Sequence, residues 1–421
     1  MSKVTVIFSV VALFVVSLMG LPGVALGADP IVIGLPTALG KWFGKGAKES
    51  VTMAVEEINA AGGVNVGGTK RPFKLVTIDT RDSDPGVPTA DSMMAVEKLI
   101  LEKKPVAIVG APNRSEVMLS AMELNAKYKI PQLATLAKSP AFQKKVAENY
   151  EKYKYVFRLT ESVLSLVKYH VDYIQHLGKE HGFKKIFAIY QDTATGKIAS
   201  KVILGMLMKS GWEVVGKEAV PLGTNDFSIP LQKVKKSGAQ VMLILGDSDE
   251  VVVLIDQWAT MRVPAIPVGL AGPLLDRTLA KTLGSKVESV ALHVCEAGSF
   301  PVQSIPKSVK FYNAYKKRWG HFPEGVGGQG PSYDSVYVLK AAIERAGTLD
   351  PDALVKALEA TNMGGAIGHI TFDKNHQAPF GYDGSKTAVG LMVQWQKGGK
   401  IATVFPLANA EAKTQLPAWM K

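Results

Sequence analysis

Short apolar runs and amphipathic stretches alternate along most of this chain at about thirty residues per pair, and that alternation constrains the fold more than any motif. Ile31 to Gly34, Phe73 to Ile78, Pro105 to Val109, Ile130 to Thr135, Lys185 to Tyr190, Val241 to Leu245 and Pro267 to Leu270 read as buried parallel strands. Between them, Val51, Ala54, Val55, Ile58 and Ala61 recur at helical spacing until Gly62 and Gly63 stop the turn, and Val167 to Leu177, Lys197 to Lys209 and Glu250 to Met261 read as further helices. The units are too many for one five-stranded sheet. The expected fold class is therefore α/β, with two doubly wound lobes whose sheets are mainly parallel. The last third departs from simple alternation. Phe311 to Trp319 and Tyr333 to Ala346 read as helices, Asp350 caps a third that starts at Pro351, and Ile370 to Asp373 and Thr387 to Trp395 read as strands. That order suggests a chain that crosses between lobes more than once.

The N-terminus carries Lys3, an apolar run from Val4 to Met19, a break at Gly20 to Gly23, and the small residues Ala25 and Gly27. This is the pattern of a secretory signal peptide over residues 1–27, too short for a membrane anchor. Cleavage after Gly27 leaves 421 − 27 = 394 residues. No cysteine lies near the cleavage site, which excludes an acylated lipoprotein terminus. Cys295 is the only cysteine, so no internal disulfide can form even in an oxidising compartment, and stability has to come from core burial. Losing Lys3 takes the formal charge from +12 to +11. A basic balance suits an anionic ligand, but the lysines are spread over helix faces and form no nucleic-acid arm.

Catalytic and cofactor motifs are missing. Gly34 and Gly40 are separated by five residues where a phosphate loop needs four, and Lys41 is followed by Trp42 instead of Ser or Thr. The seven histidines form no metal-binding pair, GDSDE at Gly246 lacks the second glycine of a nucleophile elbow, and no dinucleotide fingerprint follows the first strand. Asp192, Asp247 and Asp249 read as catalytic carboxylates of an exported hydrolase or as solvated turn residues. No catalytic residue, cofactor or metal is assigned. The turn after Val109, which breaks at Gly110 and carries Asn113, Arg114 and Ser115 into a helix, is the first candidate for a ligand contact. Ligands of open α/β sheets bind beyond strand carboxyl ends, where the N–H groups of a helix start welcome an anion. The plain alternative is an ordinary strand-to-helix connection.

IVIGLPTALG, AVEEINAAGGV, DTRDSDP, AIVGAPNRS, YVFRLT, NDFSIPLQKVK, FYNAYKKRWGHFP and GHITFD together resemble the periplasmic branched-chain amino-acid-binding proteins of ABC importers, in the right order over essentially the whole mature chain. The resemblance implies a type I periplasmic binding fold with three crossovers near Arg158, Cys295 and Asp373. Lobe 1 would comprise residues 28–157 and 296–371, and lobe 2 residues 158–295 and 372–421. It implies a monomer in the periplasm that closes by a hinge on a small ligand and docks on an inner-membrane permease, without catalysis. A sensor component sharing the fold is the alternative.

Carried over residue by residue, the resemblance places the lidding aromatic at Phe43 beside Trp42. The carboxylate-binding turn falls on Pro112, Asn113, Arg114 and Ser115, and its partner turn on Leu136, Ala137 and Lys138. From the second lobe come Thr195, Asp247 or Ser248, and Ala271. Arg114 and Lys138 stand where hydroxyl residues are usual, and Ala271 stands where an acid usually pairs with the ligand's ammonium. A buried ammonium without a counter-charge is costly. The ligand is therefore expected to be an organic acid, aromatic acids included, or an amino acid if Asp247 supplies the missing charge.

Overall fold

The computed structural model describes residues 29–84, 86–110, 112–246, 248–323 and 328–420, so the signal peptide assigned to residues 1–27 lies outside them. Among the described residues no helix is long and apolar enough to cross a membrane. The first sheet contains β1 (Ile31–Thr37), β2 (Phe73–Asp79), β3 (Ala107–Val109), β4 (Gln132–Ala134) and β5 (Val156–Arg158), in the order β2-β1-β3-β4-β5 and parallel throughout. α1 (Trp42–Ala60), α2 (Thr89–Lys103) and α3 (Ser115–Tyr128) make its first three crossovers. The second sheet contains β6 (Lys185–Gln191), β7 (Glu213–Val220), β8 (Val241–Leu245), β9 (Ile266–Leu270), β10 (Ala291–Val294), β11 (Leu391–Gln396) and β12 (Lys400–Phe405). Its order is β12-β11-β10-β9-β8-β6-β7, with only the β10–β11 and β11–β12 pairs antiparallel. α4 (Val163–His181) leads into this sheet, and α5 (Ala194–Lys209), α6 (Ser228–Ser237) and α7 (Glu250–Thr260) connect its strands. The α/β class with mainly parallel sheets is as expected.

Burial on both faces explains the unbroken apolar runs: every residue of β8, VMLIL, is buried. β9 comes so close to β8 that a Cβ on Gly269 would overlap the carbonyl oxygen of Ile244. Helix ends follow local chemistry. The hydroxyl of Ser162 accepts the N–H of Ser165 at the start of α4, and Gly182 closes it in the left-handed conformation.

α8 (Pro306–Trp319), α9 (Gln329–Ala346) and α10 (Pro351–Glu359) return to the first sheet. Val336, Leu339 and Ile343 of α9 and Leu354 and Leu358 of α10 share a core with Ile31, Ile33, Leu35 and Leu133. Ala297, Phe300, Val302 and Ile305 are instead buried with Ile244 and Leu292 of the second sheet. These four residues follow Glu296, so packing with the second core continues to Ile305. On the way back the packing is mixed, since Tyr382 packs against the second sheet, Ala388 lies in the first core and Val389 in the second.

Two expected strands are corrected. Ile370 to Asp373 is a strand only as Gly368–Ile370, because the Asp373 carboxylate accepts the N–H groups of Asn375 and Gln377 and bends the chain into a turn. Thr387 to Trp395 is broken: Ala388–Val389 belongs to a small separate sheet and β11 begins at Leu391.

Candidate functional site

Both sheets reverse their winding once. The chain runs β1 to β2 and then hops back over β1 to β3, and it runs β6 to β7 and then back over β6 to β8. Crevices therefore open at the carboxyl ends of the β1–β3 and β6–β8 pairs, the positions where doubly wound sheets hold ligands. The strand registers arrange the sequence candidates in two rows. Trp42 and Phe43 follow β1, Pro112 to Ser115 follow its neighbour β3, and Leu136 to Lys138 follow β4. Thr195 and Ser248 follow the neighbours β6 and β8, and Ala271 follows β9. Asp247 and the side chain of Thr195 lie outside what the structure describes.

The turn after β3 depends on Gly110, whose φ is +87° and whose Cβ, were it present, would overlap Leu35. Its backbone is held by a residue that the sequence reasoning did not single out. Asp82 is fully buried, and one carboxylate oxygen accepts the N–H of Asn113 at 2.9 Å and of Arg114 at 3.0 Å, while the other accepts the hydroxyl of Thr80 at 2.9 Å. A carboxylate of the chain thus occupies the start of α3, where the helix dipole favours negative charge. Asn113 donates its amide to the Ser83 hydroxyl at 3.1 Å. The Arg114 guanidinium folds back toward α2, donating to the Val87 carbonyl at 3.1 Å and the Thr89 hydroxyl at 3.4 Å, with Glu116 at 3.8 Å.

Beside β1, the Trp42 and Phe43 rings meet edge to face at 5.4 Å. Trp42 also lines a pocket of about 270 Å³ together with Lys45, Gly46, Glu49, Tyr315, His321 and Gln329, between α1, α8 and the start of α9. In the second row, Gln191 at the end of β6 donates its amide to Ser248 and to Glu250, the latter at 3.2 Å. Ala271 is buried in the second core.

Lys138 stands where the segments linking the two sheets meet. Its ammonium donates to the Thr160 hydroxyl at 2.7 Å and to Glu296 at 3.1 Å, and it lies 3.9 Å from Glu161. Thr160 also donates to Glu296, and Nε2 of His293 lies 2.9 Å from Glu161. Burial raises the Glu296 carboxyl above the usual range despite the pull of Lys138, whereas for Glu161 the pull of His293 and Lys138 outweighs burial and leaves it lowered. Burial likewise pushes the Cys295 thiol well up. Glu161, His293 and Cys295 each bring a donor atom within 4.8 Å of the others. The Lys138 ammonium lies beside these groups, 3.9 Å from Glu161 and 3.1 Å from Glu296, which makes the cluster an ion-paired one. Next to it, Arg158 is buried and ties the first linking segment to the third: it donates to Gln377 at 2.5 Å and to the Ser139 carbonyl at 2.7 Å, and its N–H bonds the His376 carbonyl at 2.9 Å.

Residues 32–400 match the family model described as periplasmic binding protein, and the chain belongs to that family. The Leu/Ile/Val-binding protein homolog 7 of Brucella suis biovar 1 (strain 1330) is 27% identical over 383 residues, covering 89% of this chain and 90% of that protein, in line with the resemblance read from the sequence. Two solved structures share the fold. The branched-chain amino acid transporter substrate-binding protein LivJ of Streptococcus pneumoniae, in complex with isoleucine, superposes with a TM-score of 0.68 at 19% identity, over 92% of this chain and 100% of that one. A solute-binding protein of an ABC transporter from R. palustris, in complex with benzoate, does so with a TM-score of 0.66 at 14% identity, over 93% and 99%.

Proposed function

We propose that this protein is the extracytoplasmic substrate-binding component of an ABC importer. It captures a small carboxylate-bearing ligand between two lobes by hinge closure and hands it unchanged to a membrane permease. The observation that carries this reading is the pair of winding reversals, at β1–β3 and β6–β8, with the candidate turns following those strands in two rows. Two crevices on one chain, joined by three crossing segments, form the geometry of a clamp.

Within that reading, Lys138 is the cation that meets the carboxylate, because the Arg114 guanidinium is already turned onto α2. An organic acid without an α-amine is the favoured ligand. Ala271 offers no charge, and the nearby buried carboxylates, Glu161 and Glu296, are engaged by His293, Thr160 and Lys138. The fold itself does not choose, since one relative in shape holds isoleucine and another benzoate.

The test is a melting and calorimetry series with benzoate, L-leucine and L-isoleucine. A ligand that binds only the folded protein stabilises it by about 3–4 kcal/mol at a hundred to a thousand times its dissociation constant, so the melting temperature should rise with benzoate. Saturable binding without any rise counts against closure on the ligand. Leucine binding more tightly than benzoate would reverse the ligand preference, and recovery of a chemically altered ligand would make the protein an enzyme.

A further inference from the structure

Two buried carboxylates, Glu161 and Glu296, converge on the one ammonium of Lys138, which is the nearer to Glu296. His293 is a partner of Glu161, not of Glu296. Its Nε2 lies 2.9 Å from Glu161, while its Nδ1 has no hydrogen-bond partner among the described residues. One oxygen of each carboxylate is also without a hydrogen-bond partner there. Thr160, Glu161, His293, Cys295 and Glu296 are all buried, and Lys138 alone is in touch with solvent, with 22% of its side chain exposed.

We propose that Lys138 changes partners when a carboxylate ligand enters, leaving Glu296 for the ligand, and that Glu296 then takes up a proton from solvent. This rests on the carboxylate reading above. Before binding, the ammonium pairs with the Glu296 carboxylate; afterwards it pairs with the ligand carboxylate, and Glu296 is a neutral acid. One anion and one proton are bound together, so the net charge of the cluster is the same before and after.

The surroundings of Glu296 drive the exchange. Facing it are Lys138 from the turn after β4, Thr160 and Glu161 from the first linking segment, and Cys295 beside it in sequence. Behind Glu161 stand His293 on β10, with the His170 ring 5.0 Å and the Tyr169 ring 5.4 Å from it, and Arg158, which feels both Glu161 and Asp373. Lys138 is the only cation in hydrogen-bond contact with Glu296 among the described residues. Without it, Glu296 keeps the Thr160 hydroxyl and gains no new positive charge. A buried carboxylate in that position neutralises itself instead of remaining ionised. Gln377, whose amide donates to the Thr160 carbonyl at 3.0 Å, is uncharged and brings no compensation.

Calorimetric titration of sodium benzoate in phosphate and in Tris, at about pH 7, measures the protons taken up, because the two buffers release them with different heats. The wild-type protein should take up about one proton per benzoate, and its affinity should fall with rising pH by at most about tenfold per unit. Glu296→Gln keeps the shape but cannot titrate, so it should bind benzoate with no proton linkage and a flat pH profile. No uptake by the wild type, or unchanged uptake by the variant, overturns the proposal. A ligand-free arm stands apart from the functional reading. Lys138→Met mimics departure of the ammonium and should show a protonated-carboxyl infrared band at about pH 7 that is missing from the wild type and from Lys138→Met/Glu296→Gln. Absence of that band overturns the proposal. If benzoate does not bind, the carboxylate reading fails for that probe, and the infrared arm alone supports or sinks the proton acceptor.

Discussion

Asp334, in α9, shows how one buried residue can set a pH dependence. Its two carboxylate oxygens accept the N–H groups of Ala366 and Ile367, each at 2.9 Å. Burial pushes its carboxyl up from an ordinary 3.8 to about 6, with those two N–H groups pulling the other way. The folded state thus prefers the protonated acid. The stability from this group is fully present below the unfolded value and is lost as pH rises through about 6. Going from about pH 7 to pH 4, the wild type should gain up to about 3 kcal/mol relative to Asp334→Asn, in which the position cannot titrate. Urea unfolding of both proteins across that range reads the difference, and a difference that does not change with pH would show that Asp334 is ionised alike in both states. Nothing in the residues around Asp334 in sequence marks it as buried, because its partners are more than thirty positions away.

At the scale of elements, the start of α3 depends on Asp82, a carboxylate that arrives from the loop after β2. Asp82→Ala would leave two backbone N–H groups and the Thr80 hydroxyl without their acceptor, and each buried orphan costs about 1–3 kcal/mol. The variant should lose at least about 2 kcal/mol in chemical denaturation, with Asp82→Asn losing less because it keeps an acceptor. Equal stability of Asp82→Ala and the wild type would show that the turn is held by something else. The elements that the sequence revealed and those it hid differ in a physical way. Strands buried on both faces, such as β8, are continuous apolar runs, and these were legible. β10 is only four residues with a histidine among them, and β12 grades from exposed Lys400 to buried Phe405 at the edge of the sheet, so neither was read as a strand. The candidate turns were legible because they follow readable strands. The cluster of Lys138, Glu161, His293 and Glu296 was not, because it is assembled from segments more than a hundred residues apart.

For the molecule as a whole, the cores are interleaved: α8 to α10 belong with the first sheet, yet β11 and β12, later in the chain, complete the second. β11 supplies Leu391, Val393 and Trp395 to one face of that sheet and Met392 to the other, and it is the neighbour of β10. A chain ending at residue 386 should therefore lose cooperative unfolding of the second sheet as well as the edge, seen as a broad, low-enthalpy melt. A sharp transition like that of the full chain would show that β6 to β10 stand alone.

The same interleaving imposes an order in time. Seventeen-twentieths of the polypeptide, by the rough measure of where α10 ends, has to emerge before the second sheet can receive its last two strands, and long-range closures of this kind are slow. A nascent chain with that topology stays incompletely folded until synthesis is nearly over. Slow closure leaves a window in which the polypeptide can be threaded through a narrow channel, and the two halves can then close on each other wherever it emerges.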